Sequence, residues 1–308
     1  MTILPRGIGI RTGKAVYDET VSLRFGKLVL RFRAAVPGQR FSIEDTHVPF
    51  VVPPDAAADL ELACRVGPIE PVLGPITSSA GKSWDLRQHP DGSEDIIFRG
   101  GRDFGTDVWH LRLDHTFQTG SLVEAPVMPD PFVRADGYPL LEYCVARLLG
   151  RHEGLLIHAS TAIVDGGAYV FVGHSGAGKS TMAAIAEGAG ARIPTDDRTI
   201  ITSSPPSPMA WGTPWHGSLV RKSPEGAPIR GLFLLQQARE DRCEPLAAGR
   251  AVKELFVRLI QPRLHPAEVE NTLRILETVA ERVPVMRLHF RPTPAAFELA
   301  LNQQVSAR

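Results

Sequence analysis

The chain has 308 residues, enough for two domains of ordinary size that each bury a core. Its 34 basic and 34 acidic residues cancel, and no run of Lys or Arg marks a nucleic-acid footprint or a membrane-surface patch. The opening residues lack the apolar stretch of a signal peptide or membrane helix, so a soluble, cytoplasmic protein is expected, with neither membrane nor nucleic acid as partner.

From the N-terminus to about residue 125 the chain reads as short strands separated by turns. Val21 to Phe32 alternates apolar and polar residues around a glycine. His89-Pro90-Asp91-Gly92-Ser93 is a hairpin turn between Trp84–Gln88 and Asp95–Arg99, and Val108 to Leu113 is a half-buried strand. His47, His89, His110 and His115 show no ligand spacing, so metal is not expected there. Cys64, Cys144 and Cys243 are odd in number and far apart, and read as reduced, mostly buried thiols.

Residues 126–136 contain three prolines and read as an extended connector, which sets a boundary between residues 1–136 and 137–308. Asp136 is placed to cap a helix running from about Tyr138 to Leu149. Leu155 to Val164 and Ala168 to Val172 read as strands joined by the Asp165-Gly166-Gly167 turn. Beyond them, strands at Ala191 to Pro194, Arg198 to Thr202, Ile229 to Leu235 and Val285 to Phe290 alternate with helices near Arg250 to Ile260, Ala267 to Glu281 and after Pro294. That alternation predicts an α/β domain preceded by a β-rich accessory domain.

Between the Ala168–Val172 strand and the helix-forming run from Thr181 to Glu187 lies Gly173-His174-Ser175-Gly176-Ala177-Gly178-Lys179-Ser180-Thr181. Every required position of a phosphate-binding loop, G-x-x-x-x-G-K-[ST], is filled in the strand–loop–helix context the motif needs. Gly173, Gly176 and Gly178 let the backbone turn its N–H groups on a polyphosphate, with Ser175 and Ala177 between them and the helix N-terminus behind. Lys179 can reach the β- and γ-phosphates, and the Ser180 hydroxyl can enter a Mg²⁺ shell. ATP and Mg²⁺ are therefore the expected ligands.

A phosphate loop alone does not separate kinases from other nucleotide hydrolases, so nearby acids and bases carry the distinction. Asp196 and Asp197 end a strand after the loop helix; one can serve as a base while the other stays ionised and helps hold Mg²⁺. His158 interrupts an apolar strand just before the loop strand, either as a satisfied core histidine or as an imidazole aimed at the site. His216, between Trp211 and Trp215, is open between a role with metal or substrate and simple packing. Arg221, Lys222 and Arg230 are candidates for a cation that stabilises transferring charge.

The order Ile157-His158-Ala159, then the phosphate loop, then Asp196-Asp197 resembles the catalytic domain of HPr serine kinase/phosphorylase and of the HPr kinase-related proteins found beside peptide-modification genes. The resemblance spans residues 137 to 300 or so, is strongest from His158 to Asp197, and includes Gly212-Thr213-Pro214-Trp215-His216-Gly217 and the Val283 to Pro292 segment. It implies a phosphoenolpyruvate carboxykinase-like P-loop fold, with Lys179 and Ser180 on phosphates and Mg²⁺, His158 in the active site, Asp196 as general base, and Asp197 assisting the metal. The N-terminal half is unlike that of HPr kinase/phosphorylase, and Arg230-Gly231-Leu232 resembles only faintly its glycine-rich element, so neither phosphorylase activity nor HPr as acceptor is implied. Some related kinases phosphorylate the C-terminal serine of lasso peptide precursors, which makes a peptide or protein serine hydroxyl the expected acceptor. The family's frequent hexamers leave a homo-oligomer open. A small-molecule kinase and a nucleotide-gated binding protein without transfer are the alternatives.

Overall fold

The computed structural model describes residues 10–11, 13–100, 106–126, 132–215, 217, 222–260 and 266–303. It is a mixed α/β protein dominated by sheet, divided into two compact units, Met1–Leu148 and Leu149–Arg308. Among the described residues no helix is long and apolar enough to cross a membrane.

The first unit holds a nine-stranded and a four-stranded sheet. The Val21 to Phe32 pattern resolves into two antiparallel strands, Thr20–Phe25 and Leu28–Ala34, which turn at Gly26 (φ 60°). The expected hairpin forms, with Gln88 opposite Glu94. The unit ends inside helix α1 (Leu140–Arg151), later than the proline-rich connector. The reason is burial: Tyr143 packs edge-on against Trp84 and Phe98, and the fully buried Arg147 pairs with Glu94 at 2.8 Å while stacking over Phe117. A guanidinium taken out of water needs such a partner, so this helix is tied to the sheet it neutralises. Asp136 does not cap α1. Its carboxylate accepts the Glu44 N–H instead, and the first helical turn bonds to the Gly137 and Pro139 carbonyls. Cys64, Cys144 and Cys243 are free, and burial raises the pKa of all three, most strongly at Cys64 and Cys144.

The second unit is built on one eight-stranded sheet. Strand Gly154–Val164 is long enough to pair antiparallel with Arg198–Thr202 along its first half and with Gly167–Val172 along its second. Gly167–Val172 also runs parallel to Gly226–Gln237, which is parallel to Val285–Phe290. These strands read as nearly continuous apolar runs because both faces are covered. On one face Leu155, Ile157, Val170 and Val172 pack against Ala251 and Leu255 of α3 (Ala248–Phe256) and Ile275 and Val279 of α4 (Pro266–Arg282). On the other, Phe171 and Phe233 pack against Met182 of α2 (Lys179–Gly188) and Phe297 of α5 (Pro294–Leu301). The three parallel strands end on the same edge, where open α/β sheets bind ligands.

Candidate active site

Strand periodicity aims the first site residue. Leu155, Ile157 and Ala159 face the α3–α4 core, so His158 and Ser160 face the other way, toward the start of α2. The Ser160 hydroxyl donates to the Lys179 carbonyl at 3.2 Å, and the His158 carbonyl accepts the Gly173 N–H at 3.2 Å. The histidine strand and the phosphate loop are thus joined by direct hydrogen bonds.

The loop has the conformation its glycines allow. Gly176 and Gly178 sit at φ +79° and +102°, where an L side chain is strained. At Gly178 a methyl group would also stand 2.6 Å from the Phe290 ring, so glycine is required there twice over. Gly173 is pressed against Ala177 in the same way, and neither faces the cleft. Helix α2 begins at Gly178 with no side-chain cap, leaving its first N–H groups for an anion. Lys179 is folded back, its Nζ donating to the His174 carbonyl at 3.1 Å. Burial lowers its pKa, opposed by Asp197 and Asp196.

A cleft of about 550 Å³ opens over this loop. His158, Lys179, Ser180 and Asp197 line it together with Ser175, Gly176, Gly178 and Thr181. Four of the residues singled out for chemistry and most of the loop therefore meet in one place. Burial holds the His158 imidazole below its ordinary value, with Asp197 pulling the other way and Arg198, Lys179 and His174 adding to the depression. The site sets this imidazole beside the Asp197 carboxyl and the Lys179 amine.

The paired aspartates separate. Asp197 lines the cleft and is ion-paired with Arg198. Asp196 is fully buried, its Oδ1 ion-paired with Lys222 and accepting the Gly217 N–H at 3.2 Å. Gly217 bridges Asp196 and the metal-ligand candidate Ser180: a methyl group on it would lie 2.9 Å from Asp196 Oδ2 and 3.4 Å from Ser180 Oγ. His216 and Arg221 lie outside the described residues. Arg230 does not reach the site. It bulges from its strand beside Gly167, at the end of the loop strand remote from the phosphate loop, about 15–20 Å away by strand rise.

Two contributors, Gln237 and Arg198, went unread in the sequence. Gln237, the last residue of its strand, donates to the Gly176 carbonyl at 3.0 Å and lines the cleft. A polar pair, Gln236-Gln237, ending an apolar run at the carboxyl edge was the available signal. Arg198, opposite His158 in the sheet, carried only its position after the aspartates. For Lys222 the partner, Asp196, could not be read at all. Scanned against protein-family models and against curated proteins, the chain matches none.

Proposed function

We propose that this chain is a cytoplasmic, ATP-dependent serine kinase whose second unit is a P-loop domain of the phosphoenolpyruvate carboxykinase-like kind. It would transfer the γ-phosphoryl group to a serine hydroxyl of a peptide or protein, such as the C-terminal serine of a ribosomal peptide precursor. One observation carries the reading: a complete phosphate loop opens into a cleft shared by His158, Ser180 and Asp197, and Gly217 on its wall donates its N–H to the buried Asp196. The loop suits a polyphosphate, because its glycines leave no Cβ in the cradle and its lysine, among the described residues, donates to a carbonyl that an anion can outcompete.

Mg²⁺–ATP, when bound, supplies the phosphoryl group and neutralises part of its charge. The serine oxygen bonds to the γ-phosphorus as the bond to the β,γ-bridging oxygen breaks, ADP leaves, and the hydroxyl proton passes to a carboxylate. We assign that carboxylate to Asp196, ion-paired with Lys222, and assign Ser180 and Asp197 to the metal. Lys179 and the loop amides stabilise charge on the transferring group. Neutral His158 donates one hydrogen bond to a γ-phosphate oxygen without adding charge.

The test is mass spectrometry after incubation with Mg²⁺–ATP and three acceptors: a peptide with an internal serine, a peptide ending in serine, and free serine. The Lys179→Ala protein serves as blank. One added phosphoryl group on a peptide, absent from the blank, is the expected result. Transfer to free serine alone would make the protein a small-molecule kinase, and bound ATP with no transfer would make it a nucleotide-gated binding protein.

A further inference from the structure

We infer that Glu44, His47 and Asp136 form a binding site for a borderline divalent cation such as Zn²⁺ within the first unit. The argument begins with register. The Val133–Arg134 strand runs parallel to Arg40–Glu44 with Val133 opposite Phe41 and Arg134 opposite Ser42, so Asp136 comes level with Glu44. A turn closed by the His47 N–H on the Glu44 carbonyl, at 2.9 Å, then brings His47 back over the same point. One ligand atom from each of the three residues lies within 4.8 Å of the others.

Spacing separates this group from an ordinary histidine–aspartate pair. Elsewhere in the same unit His89 and His110 meet Asp95 at 2.6 and 2.7 Å, which are hydrogen bonds. His47 Nδ1 stands 3.7 Å from Asp136 Oδ2, too long for one. A tetrahedral ion with bonds of about 2.1 Å holds its donors about 3.4 Å apart, so a shift of a few tenths of an ångström makes these two atoms co-ligands. His47 and Asp136 side chains are only 7% and 6% exposed, whereas Glu44 faces solvent and leaves the ion an open side.

Charge agrees. Among the described residues the two carboxylates face the Lys14 ammonium opposite Glu44 and the Arg134 guanidinium, which is itself paired with Glu124. The Thr46 hydroxyl, 3.1 Å from His47 Nδ1, is the group the ion would displace. An imidazole with two carboxylates favours Zn²⁺ and its neighbours over Mg²⁺, which prefers oxygen and keeps its water. Such an ion would staple the turn after Glu44 to the segment leading into α1, contributing to stability directly.

The experiment strips the full-length protein with a chelator and titrates Zn²⁺ against a chromophoric competitor with millimolar Mg²⁺ present, while Co²⁺ reports coordination through its visible bands. Expected is one equivalent per chain, with a rise in melting temperature, and affinity at least about tenfold weaker in His47→Gln and in Glu44→Gln. Glu44→Gln changes an exposed residue and keeps the test valid if His47→Gln fails to fold. Absence of stoichiometric binding, or binding unchanged in Glu44→Gln, overturns the site. Neither outcome bears on phosphoryl transfer.

Discussion

Lys222 and Asp196 form an ion pair in which neither side chain is exposed to solvent, in the second unit beside the phosphate loop. Removing one partner of such a pair strands a charge, whereas removing both need not. Lys222→Met is therefore expected to lower stability by about 3–5 kcal/mol in urea denaturation. Lys222→Met combined with Asp196→Asn recovers much of that loss. Equal destabilisation in the single and double variants would show that the pair is not an electrostatic unit.

The two aspartates predict different kinetic failures. Asp196→Asn, itself destabilised because it leaves Lys222 unpaired, should as folded protein still bind nucleotide and lose transfer by a factor on the order of 10²–10⁴, the usual worth of a positioned base. Asp197→Asn, altering the carboxylate that lines the cleft, should instead raise the Mg²⁺ concentration needed for half-maximal rate. The reverse pattern, read from Mg²⁺ titrations of both variants, would move the base to Asp197.

Two glycines of the loop differ in what surrounds them. Gly176→Ala meets nothing within 4 Å and carries only the strain of φ +79°, which costs on the order of 1–2 kcal/mol. Gly178→Ala adds a methyl group 2.6 Å from Phe290 at φ +102°. Thermal melts should rank Gly178→Ala well below Gly176→Ala, and phosphate binding by Gly178→Ala should be lost.

His158 gives a signed pH effect. Burial depresses its folded-state pKa below the ordinary 6.5, so its contribution to stability is fully present above that value and is lost as pH falls through the folded pKa. Denaturation curves at neutral pH and at pH about 5 should show wild type losing more stability on acidification than His158→Gln, which cannot take up the proton. An identical loss in both proteins would place the titration elsewhere.

Lys179→Ala should leave the melting temperature close to wild type, because among the described residues its amine makes one hydrogen bond, to the His174 carbonyl. Transfer should fall by a factor on the order of 10² or more through lost charge stabilisation, as a quenched radiolabelled-ATP assay would report.

What could be read from the chain follows local rules. The phosphate loop is contiguous, so its glycines, lysine and serine were legible, as were the strand before it and the helix after it. His158 stood out as a polar residue interrupting an apolar strand, but which way it faces was decided only by the packing of Leu155, Ile157 and Ala159 into the core. The 89–93 turn was legible because its backbone demands are local.

Contacts across long sequence separations belong to the tertiary structure alone. Asp136 looked like a helix cap because helix signals are local, yet a strand register 92 residues away supplied a better donor in Glu44. Helix α1 followed its buried Arg147 to Glu94 rather than the proline-rich boundary. Lys222 and Arg230 looked alike as cations in the sequence. Folding buried one against Asp196 and left the other at the far end of the sheet, because a strand carries residues apart by about 3.3 Å each while pairing decides which distant residues meet. The sequence by itself determined that a contiguous G-x-x-x-x-G-K-[ST] loop stands between a strand and a helix. Only the tertiary structure decided which acids, bases and cations stand around it, since those side chains converge through sheet register and burial, which no local pattern encodes.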